Sequence, residues 1–329
     1  MNQFDLGRQQ SDTHLSRRDF LAASGAALLG AAMAGCSTGR DSGDRREPII
    51  DIHQHLGYSG RPDDVLVMHQ WAMGTTRTIL LPAGRPVSRA STHDGKSNGL
   101  AAQTLGNEQC YRFAQAHPKE FLFAANEVPD HENAMQEIEK YLKLGGVMIA
   151  EQKFGVECDS PEMQSIYEIA QAFSVPVLMH WQFGMYNHGF ERFYKMLEKY
   201  PNVNFIGHAQ TWWANIDRNH QDQKVLYPKT RPVLSGGITD RYLTDYPNMF
   251  GDLSAGSGLN AITRDEDFTR DFLSRHQDKL LYGSDCNDHA GLGEKCQGAQ
   301  TIAAIRRLAA DHNIERKLLY ANAKRLLRI

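Results

Sequence analysis

Two histidines separated by one residue are the first place in this sequence where metal chemistry is expected. His53 and His55 follow the apolar, β-branched run 48–50, which predicts a β-strand. Side chains two residues apart on a strand project from the same face, roughly 7 Å apart, so both imidazoles can reach one ion. Asp51 falls on this face too, and we expect it to orient the rings through hydrogen bonds.

Three later apolar runs also end in a side chain that commonly binds metals. They are residues 175–180, 203–208 and 280–285, which end in His180, His208 and Asp285. A single histidine at a strand end is usually structural, and an aspartate after Gly-Ser often caps a helix. Together with the His-x-His pair, however, these residues form the nitrogen and oxygen donor set of a zinc-type site.

The elements that must position these residues form an alternating pattern. Apolar runs that predict strands cover residues 49–55, 76–82, 121–128, 147–154, 175–180, 203–208, 249–254 and 280–285. Amphipathic stretches between them, such as 133–144, 160–173, 190–199 and 268–276, predict helices. This order predicts an α/β fold, a single-domain (β/α)8 TIM barrel over residues 48–329. The alternative is an open doubly wound sheet, which normally carries a Gly-rich phosphate loop after its first strand, and no such loop follows His55.

Catalytic side chains of such barrels lie at the C-terminal ends of the strands, so the five candidate ligands would surround one point. Two long connections, 83–106 and 211–247, follow strands and belong to the same rim. We expect the second to be a lid or substrate wall, with an oligomer contact as the alternative. Trp181, Trp212 and Trp213 are expected either to line the pocket or to lie in the core.

This pattern resembles the amidohydrolase superfamily over nearly the whole predicted domain. The resemblance is carried by His53-x-His55, His180, His208 and the strand end Gly283-Ser284-Asp285. It is greatest with the branch that contains aminocarboxymuconate-semialdehyde decarboxylase and related lactonases and hydrolases. The resemblance implies that His53, His55, His180 and Asp285 bind a divalent metal, usually zinc. It also implies that His208 is a further ligand or the proton-transfer residue.

The fourth predicted strand leaves the number of ions open, either one or two. Glu151 and Lys153 lie two residues apart, so both should point into the barrel. Superfamily members with two ions use a bridging group here, either a carboxylated lysine or, in the metal-dependent DNase branch, a glutamate. Glu151 is the preferred bridge because it needs no modification. The alternative is a buried pair in which Glu151 and Lys153 neutralise each other.

The predicted site indicates a hydrolase. A bound zinc ion lowers the pKa of its water to about 7 and supplies hydroxide near neutral pH. Asp285 can accept that water's proton and return it to the leaving group, while His208 steadies the developing oxyanion. The substrate would be a small molecule with an ester, lactone or amide bond.

Two other functions stay open. The first is a non-oxidative decarboxylase of a small carboxylic acid, which needs a cation for the departing carboxylate. The candidates for that cation are Arg85, Arg89, Arg241 and Arg264. The second is a non-enzymatic binding lipoprotein, which is less favoured because a binding module needs no such set of ligands.

Six other histidines divide into two groups. His188 and His289 fall on predicted rim loops and are further proton-transfer candidates. His69, His117, His276 and His312 fall on helical stretches, where we expect solvated side chains.

The first 35 residues are predicted to be a twin-arginine signal peptide rather than part of the fold. Ser16-Arg17-Arg18-Asp-Phe-Leu precedes an uncharged, Ala- and Gly-rich stretch, 21–35, that is too short to span a bilayer. Cys36 is expected to be a lipid acceptor, although Met33 stands where lipoprotein boxes usually carry Leu. Ala32-Met33-Ala34 offers an ordinary cleavage site instead, which would give a soluble periplasmic protein. Residues 36–47 are polar and predict a flexible tether.

The net charge and the cysteine spacing limit which binding partners and which cysteine sites we expect. A formal net charge of −3 gives no basic field for nucleic acid, and membrane contact is expected only through a lipid on Cys36. A homo-oligomer stays open. The other cysteines show no C-x-x-C spacing and predict no structural zinc knot. Cys286 and Cys296 fall in one late loop, where they either pair after export or stay free and buried.

Overall fold

Eight parallel strands form the centre of the molecule. The computed structural model describes residues 47–84 and 104–329. Its strands are β1 (Ile50–Gln54), β2 (Arg77–Leu80), β3 (Phe121–Phe123), β4 (Ile149–Gln152), β5 (Val177–His180), β6 (Phe205–His208), β7 (Met249–Asp252) and β8 (Leu280–Leu281). They pair in sequence order, β1 to β3 in one sheet and β4 to β8 in another.

Hydrogen bonds at both junctions join the two sheets into a ring. Ala125, two residues beyond β3, forms a parallel bridge with Ile149 of β4. On the other side, the N–H of Ile52 donates to the carbonyl of Tyr282, and the N–H of Asp285 donates to the carbonyl of His53. The strands therefore follow one another around a barrel, as the sequence predicted.

Helices follow the strands and cover the ring. They are α1 (Asp63–Met73), α2 (Asn107–Ala116), α3 (Ala134–Lys143), α4 (Pro161–Phe173), α5 (Tyr194–Lys199), α6 (Gln210–Ala214), α7 (Ile238–Asp245), α8 (Ala255–Thr263), α9 (Glu266–Arg275), α10 (Gln297–Leu308), α11 (His312–Arg316) and α12 (Asn322–Leu327). Helix α4 begins as its sequence predicts, because Pro161 occupies the first position and the Ser160 hydroxyl accepts a hydrogen bond from the N–H of Met163.

Two apolar layers alternate along the strands. A smaller cluster fills the barrel below the candidate ligands and includes Leu178, Ile206 and Leu281, with Leu326 and Leu327 of α12 packed against it. A larger cluster lies between the strands and the surrounding helices. It contains Trp181, Trp212 and Trp213, each at most 1% exposed. Of the two alternatives expected for these tryptophans, a pocket wall or the core, the structure shows the core.

One glycine is required by this packing. Gly207 on β6 lies directly beneath Trp212, and a Cβ atom there would come within 2.3 Å of the indole ring. No larger residue fits at this position without displacing the tryptophan.

Irregular pairing occurs in β1 and β4, just where they enter the site. In β1, Asp51 pairs with Thr78 and Gln54 with Leu80, so three steps on one strand match two on its neighbour. The register of β4 against β5 shifts in the same way between Ile149 and Gln152. Irregularities of this kind interrupt the strict alternation of side chains and aim them in new directions.

The signal peptide, Cys36 and most of the predicted tether, together with Arg85 and Arg89, lie outside the described residues. Within 47–84 and 104–329, no helix has both the length and the apolar character needed to cross a membrane.

Candidate metal centre

The candidate ligands converge at the C-terminal ends of their strands. His53 is on β1 and His55 just beyond it, and their Nε2 atoms lie 3.2 Å apart. Glu151 of β4, His180 of β5, His208 of β6 and Asp285 beyond β8 complete the group, which we call the ligand cluster. The histidines and Glu151 are at most 4% exposed, so the cluster is almost fully removed from water.

Glu151 lies between two pairs of histidines. Its Oε2 atom is 3.6 Å from Nε2 of both His53 and His55. Its Oε1 atom is hydrogen-bonded to Nδ1 of His180 and lies 3.7 Å from Nε2 of His208. Each oxygen of one carboxylate therefore serves a different pair of rings. Glu151, and not Lys153, occupies the position between the pairs.

Asp285 spans the cluster in a similar way. Its Oδ1 atom lies 3.8 Å from Nε2 of His53 and 3.5 Å from Nε2 of His55. Its Oδ2 atom lies 3.6 Å from Nε2 of His208. Within the described chain Oδ1 is buried and has no hydrogen-bond partner. A buried carboxylate oxygen without a donor is costly unless a cation satisfies it.

Two hydrogen bonds fix which ring nitrogens face the centre. His53 donates from Nδ1 to Oδ2 of Asp252 over 2.7 Å, and His55 donates from Nδ1 to the carbonyl of Leu81 over 2.8 Å. Both Nε2 atoms consequently point inward, toward each other and toward the carboxylates of Glu151 and Asp285. This is the outer hydrogen-bonding pattern that metal-binding histidines normally show.

The residues fit a divalent metal ion. Two ligand atoms of a tetrahedral zinc site lie about 3.4 Å apart, given bonds of about 2.1 Å. Among the inward atoms of His53, His55, His208, Glu151 and Asp285, the separations run from 3.2 to 3.8 Å, and His180 lies closer to Glu151, within hydrogen-bond distance. Three overlapping sets of three ligand atoms occur in the cluster, and two of them share Glu151.

The charges within the cluster favour a cation. Burial opposes ionisation of Glu151, but His180 and Lys153 hold the pKa of that carboxyl well below its usual range. Burial likewise opposes ionisation of Asp285, whose pKa is held well below its usual range mainly by His53. Burial and the nearby charge of Lys153 lower the pKa of His180 to about 4. The centre thus holds two ionised carboxylates and a neutral His180. Burial disfavours a charge on His53, but Asp285 and Asp252 raise the pKa of that ring well above its usual value, so metal binding there would displace a proton.

Asp252 orients two rings at once, a role that the sequence suggested for Asp51. Besides His53, its Oδ2 atom lies 3.2 Å from Nδ1 of His208. The hydroxyl of Ser254 bonds both to this oxygen and to His208. Asp51 instead accepts hydrogen bonds from the N–H groups of His53 and Ser284. The expectation for Asp51 was wrong because the irregular pairing in β1 breaks the alternation on which it depended.

A polar cavity of about 250 Å³ opens above the cluster. Its lining includes Lys153, Tyr58 and Tyr227, along with the amides Gln182, Gln210, Asn287 and Gln297. The negative charge of Asp285 is the main reason that the pKa of Tyr58 is raised. Tyr227 belongs to the long connection after β6, so this connection supplies part of the cavity wall. Gln182 also lines a larger, more apolar cavity of about 680 Å³.

The other predicted cations and rim histidines lie elsewhere. Arg241 is exposed on α7, and Arg264 is buried near Asp217 and Asp265. Neither lines the polar cavity. His188 lines the larger cavity, and His289 is exposed.

Two of the helical histidines contradict the expectation of solvated side chains. His69 is 0% exposed and His276 is 4% exposed. His276 is buried because its Nε2 atom pairs with Oδ1 of Asp240 at 2.6 Å. His69 faces the thiols of Cys286 and Cys296.

Three residues of the site went unpredicted: Tyr58, Asp252 and Ser254. The signal for Asp252 was present, because it ends an apolar run just as Asp285 does. Tyr58 follows His55 by three residues and packs edge-on against its ring, with centroids 5.0 Å apart. Nothing in its local sequence sets it apart from other loop tyrosines.

Comparison with known proteins gives one family and several similar folds. The amidohydrolase family model matches residues 50–329. No match emerges among curated proteins. Among solved structures, an uncharacterised TIM-barrel protein from Bordetella bronchiseptica has 16% identity and a TM-score of 0.58, covering 85% of this chain and 98% of its own.

Two further structures carry functional names. A probable 2-pyrone-4,6-dicarboxylic acid hydrolase from Acinetobacter baumannii, with citric acid bound, has 15% identity and a TM-score of 0.55 over 85% of this chain and 99% of its own. A dihydroxybenzoic acid decarboxylase from Polaromonas, with bound manganese, has 15% identity and a TM-score of 0.53 over 86% and 97%.

Proposed function

The chain belongs to the amidohydrolase family, and on that premise we propose that it is a metal-dependent hydrolase of a small, carboxylate-bearing ester, lactone or amide. Family membership supports an enzyme that depends on a divalent metal. The reaction and the substrate class are inferences from the cluster and its cavity.

The observation that carries the proposal is the position of Glu151. Its Oε2 atom faces His53 and His55, while its Oε1 atom faces His180 and His208. Asp285 adds an oxygen to each side. These residues would hold two ions with Glu151 shared between them. A two-ion site is the arrangement best suited to hydrolysis, because it serves both the attacking and the leaving oxygen.

When bound, the ions supply an activated water and polarise the substrate carbonyl. Asp285, at the cavity edge with one unpartnered oxygen, accepts a proton from the attacking water and returns it to the leaving group. Tyr58 remains protonated beside Asp285 and donates a hydrogen bond to the oxygen on which charge develops. His208 is held by Asp252 and Ser254, so we assign it a ligand role and not that of a mobile base.

Zinc is the metal we expect, because the donors are imidazole nitrogens and carboxylate oxygens. Manganese is the alternative, since one similar structure carries that ion.

A decarboxylase is the second candidate, and one observation favours it. Lys153 lines the polar cavity, and its ammonium group could accompany a departing carboxylate. Several similar structures also bear decarboxylase names. Their identities, at 13% to 15%, support only the fold. The position of Glu151 between two pairs of histidines favours the hydrolase.

Metal counting and product analysis test the proposal together. We expect the ligand cluster to contribute two zinc or manganese ions to the metal content of the purified chain, measured by mass spectrometry, and hydrolysis within a panel of carboxylate-bearing lactones, esters and amides. Glu151→Gln should remove at least one of these two ions and lower kcat/KM by about 100-fold or more. The exposed Glu157→Gln is the matched control and should leave both unchanged.

Two other results would distinguish the hydrolase from a decarboxylase and from a protein that is not a metalloenzyme. Release of CO2 from carboxylated aromatic or enoic acids without any hydrolysis would overturn the hydrolase and support the lyase. A chain that binds no stoichiometric metal would overturn both enzymes.

We also propose that the chain is exported by the twin-arginine route and tethered by a lipid on Cys36. That route carries folded proteins, so the metal can be loaded before export. Replacing Arg17 and Arg18 with lysine should leave the protein inside the cell, as fractionation would detect. Cys36→Ser should release it from the membrane fraction. Normal export of the lysine variant would contradict the signal assignment.

A further inference from the structure

A second group of metal-binding side chains lies outside the ligand cluster. His69 is on α1, Cys286 directly follows Asp285, and Cys296 caps the start of α10. One ligand atom from each lies within 4.8 Å of the other two. All three residues are buried, at 0%, 3% and 0% exposure. We call this group the thiol cluster.

The distances in the thiol cluster match those of a tetrahedral zinc site. The two Sγ atoms lie 3.7 Å apart, and Sγ of Cys296 lies 3.5 Å from Nε2 of His69. Around one zinc ion, two sulfurs would be about 3.8 Å apart, and a sulfur and an imidazole nitrogen about 3.6 Å apart. A disulfide would instead bring the sulfurs to about 2.05 Å. Both cysteines are free.

We propose that His69, Cys286 and Cys296 bind a thiophilic divalent ion, zinc, at a site separate from the ligand cluster. Binding would release the two thiol protons to solvent, so that two thiolates and one neutral imidazole surround the ion. This site could not be predicted from the sequence, because its cysteines lack the C-x-x-C spacing and its histidine comes from a distant helix.

The surroundings of His69 are compatible with this role. Its Nδ1 atom lies 3.4 Å from the side-chain amide of Gln70. The Oε1 atom of Gln70 accepts hydrogen bonds from the hydroxyls of Thr75 and Thr78, each 2.9 Å away, so the amide nitrogen is the end that faces Nδ1. The other ring nitrogen, Nε2, faces Sγ of Cys296. Zinc binding at Nε2 would put the ring proton on Nδ1, and the Gln70 amide would then rotate so that its oxygen accepts that proton.

The fourth coordination position faces Asp288. Its Oδ2 atom lies 4.0 Å from Nε2 of His69 and is held by the N–H groups of Ala290 and Gly291. Met73 is on another side, with its sulfur 3.6 Å from Sγ of Cys296. A carboxylate next to two thiolates and an imidazole is a donor set that zinc accepts.

The site would connect α1 to the segment that carries Asp285. The carbonyl of Cys286 already accepts hydrogen bonds from Arg61 and Gln54, at 2.8 Å and 3.1 Å. A zinc ion on its side chain would fix this residue from the opposite direction and so hold the neighbouring Asp285 in place. The role is structural, because no residue of the thiol cluster lines the polar cavity.

Cobalt substitution tests the thiol cluster without interference from the ligand cluster. The full chain is loaded with Co²⁺, and thiolate-to-cobalt charge transfer is recorded in the near ultraviolet. The ligand cluster has only nitrogen and oxygen donors, so this band reports sulfur ligands alone. We expect the band in the wild-type chain and its loss in Cys296→Ser, together with a loss of one zinc per chain. Cys158→Ser should keep both, because that buried thiol lies outside the cluster and only donates to the carbonyl of Gly189.

Several results would overturn the proposal. They are a wild-type chain without the band, a Cys296→Ser chain that keeps its full zinc content, and a disulfide between Cys286 and Cys296 found by alkylation of the unreduced chain.

If Cys296→Ser does not fold, His69→Gln is the second variant. It should keep the sulfur band at weaker cobalt affinity, and unchanged affinity would overturn the role of His69. Loss of hydrolase activity without loss of the band would concern the ligand cluster only.

Discussion

Asp252 accepts the Nδ1 proton of His53 over 2.7 Å, and both side chains are fully buried. Although burial opposes its ionisation, the charge of His53 and the hydrogen bonds from both rings lower the pKa of Asp252 to about 2. The carboxylate is therefore charged at neutral pH. It presents Nε2 of His53 to the centre and makes that ring a better ligand.

Asp252→Asn should weaken metal binding while leaving the fold intact. The amide can still accept the Nδ1 proton of His53, but it lacks the charge that supports the ring. We expect a 10- to 100-fold loss of metal affinity, measured by competition with a chelator, and a parallel loss of kcat at limiting metal. Saturating metal should restore much of the activity, which a purely structural defect would not allow.

Ser254→Ala is the graded comparison for this prediction. It removes a hydroxyl that bonds Asp252 and His208 at 2.7 Å and 3.0 Å but keeps the bond between Asp252 and His53. Its effect on metal affinity should be smaller. A larger effect would contradict the assignment of Asp252 as the main orienting group.

Tyr58→Phe should lower kcat and leave metal content unchanged. Tyr58 lines the cavity together with Asp285, whose charge keeps the hydroxyl protonated, so loss of that hydroxyl removes a donor from the reacting oxygen. Loss of one such donor typically costs about 100- to 1,000-fold in kcat. Tyr227→Phe is the matched control, because its hydroxyl contacts Gln210 at 3.3 Å and should affect KM more than kcat. A Tyr58→Phe enzyme within about twofold of wild type would exclude Tyr58 from catalysis.

Lys153→Met should raise KM for carboxylate-bearing substrates by about 10- to 100-fold, because a hydrogen bond to a charged group contributes about 1.5–3 kcal/mol. The Nζ atom lies 5.7 Å from the ring centroid of Tyr186 and faces the cavity. A neutral analogue of the substrate should show little change, which separates anion binding from a general defect. Metal content should also stay constant. Its loss in Lys153→Met would instead make this residue a metal ligand, as a carboxylated lysine would be.

The barrel and the cluster could be predicted because both depend on local sequence. Where an apolar run ends in histidine or aspartate, one short stretch of sequence indicates both the end of the strand and its candidate ligand. The barrel then brings these strand ends together. Asp252 also ends an apolar run, but its role of orienting His53 could not be assigned, because the two residues are 199 positions apart in the sequence. Its role depends on how closely β1 and β7 approach each other in the folded barrel, and no short stretch of the sequence shows that.

Burial of helical residues was hard to predict for a related reason. His69 and His276 fall on amphipathic stretches in which polar residues usually face water. Each is buried because a distant partner satisfies it, a thiol pair for His69 and Asp240 for His276. The register shifts in β1 and β4 were likewise invisible, because they depend on pairing with neighbouring strands.

The ion pair of Asp240 gives a prediction about stability that is independent of the metal. Asp240 is 3% exposed, and its Oδ1 atom lies 2.6 Å from both Nη1 of Arg275 and Nε2 of His276. Its other oxygen accepts the N–H of Gly236. Burial opposes ionisation, but the hydrogen bonds from His276 and Arg275 lower the pKa of Asp240 to about 2 from 3.8.

A lowered pKa means that the folded state releases this proton more readily than the unfolded chain. The resulting stability is fully present above pH 3.8 and is lost as the pH falls toward 2. At neutral pH, Asp240→Asn should reduce the free energy of unfolding by about 2 kcal/mol, measured in urea. The difference between wild type and variant should shrink as the pH falls from about 4 toward 2, since the wild-type carboxylate then becomes protonated whereas the amide of the variant is neutral at every pH. Asp245→Asn, on the exposed end of the same helix, should show neither effect, and a pH-independent Asp240→Asn difference would mean that packing and not charge stabilises this position.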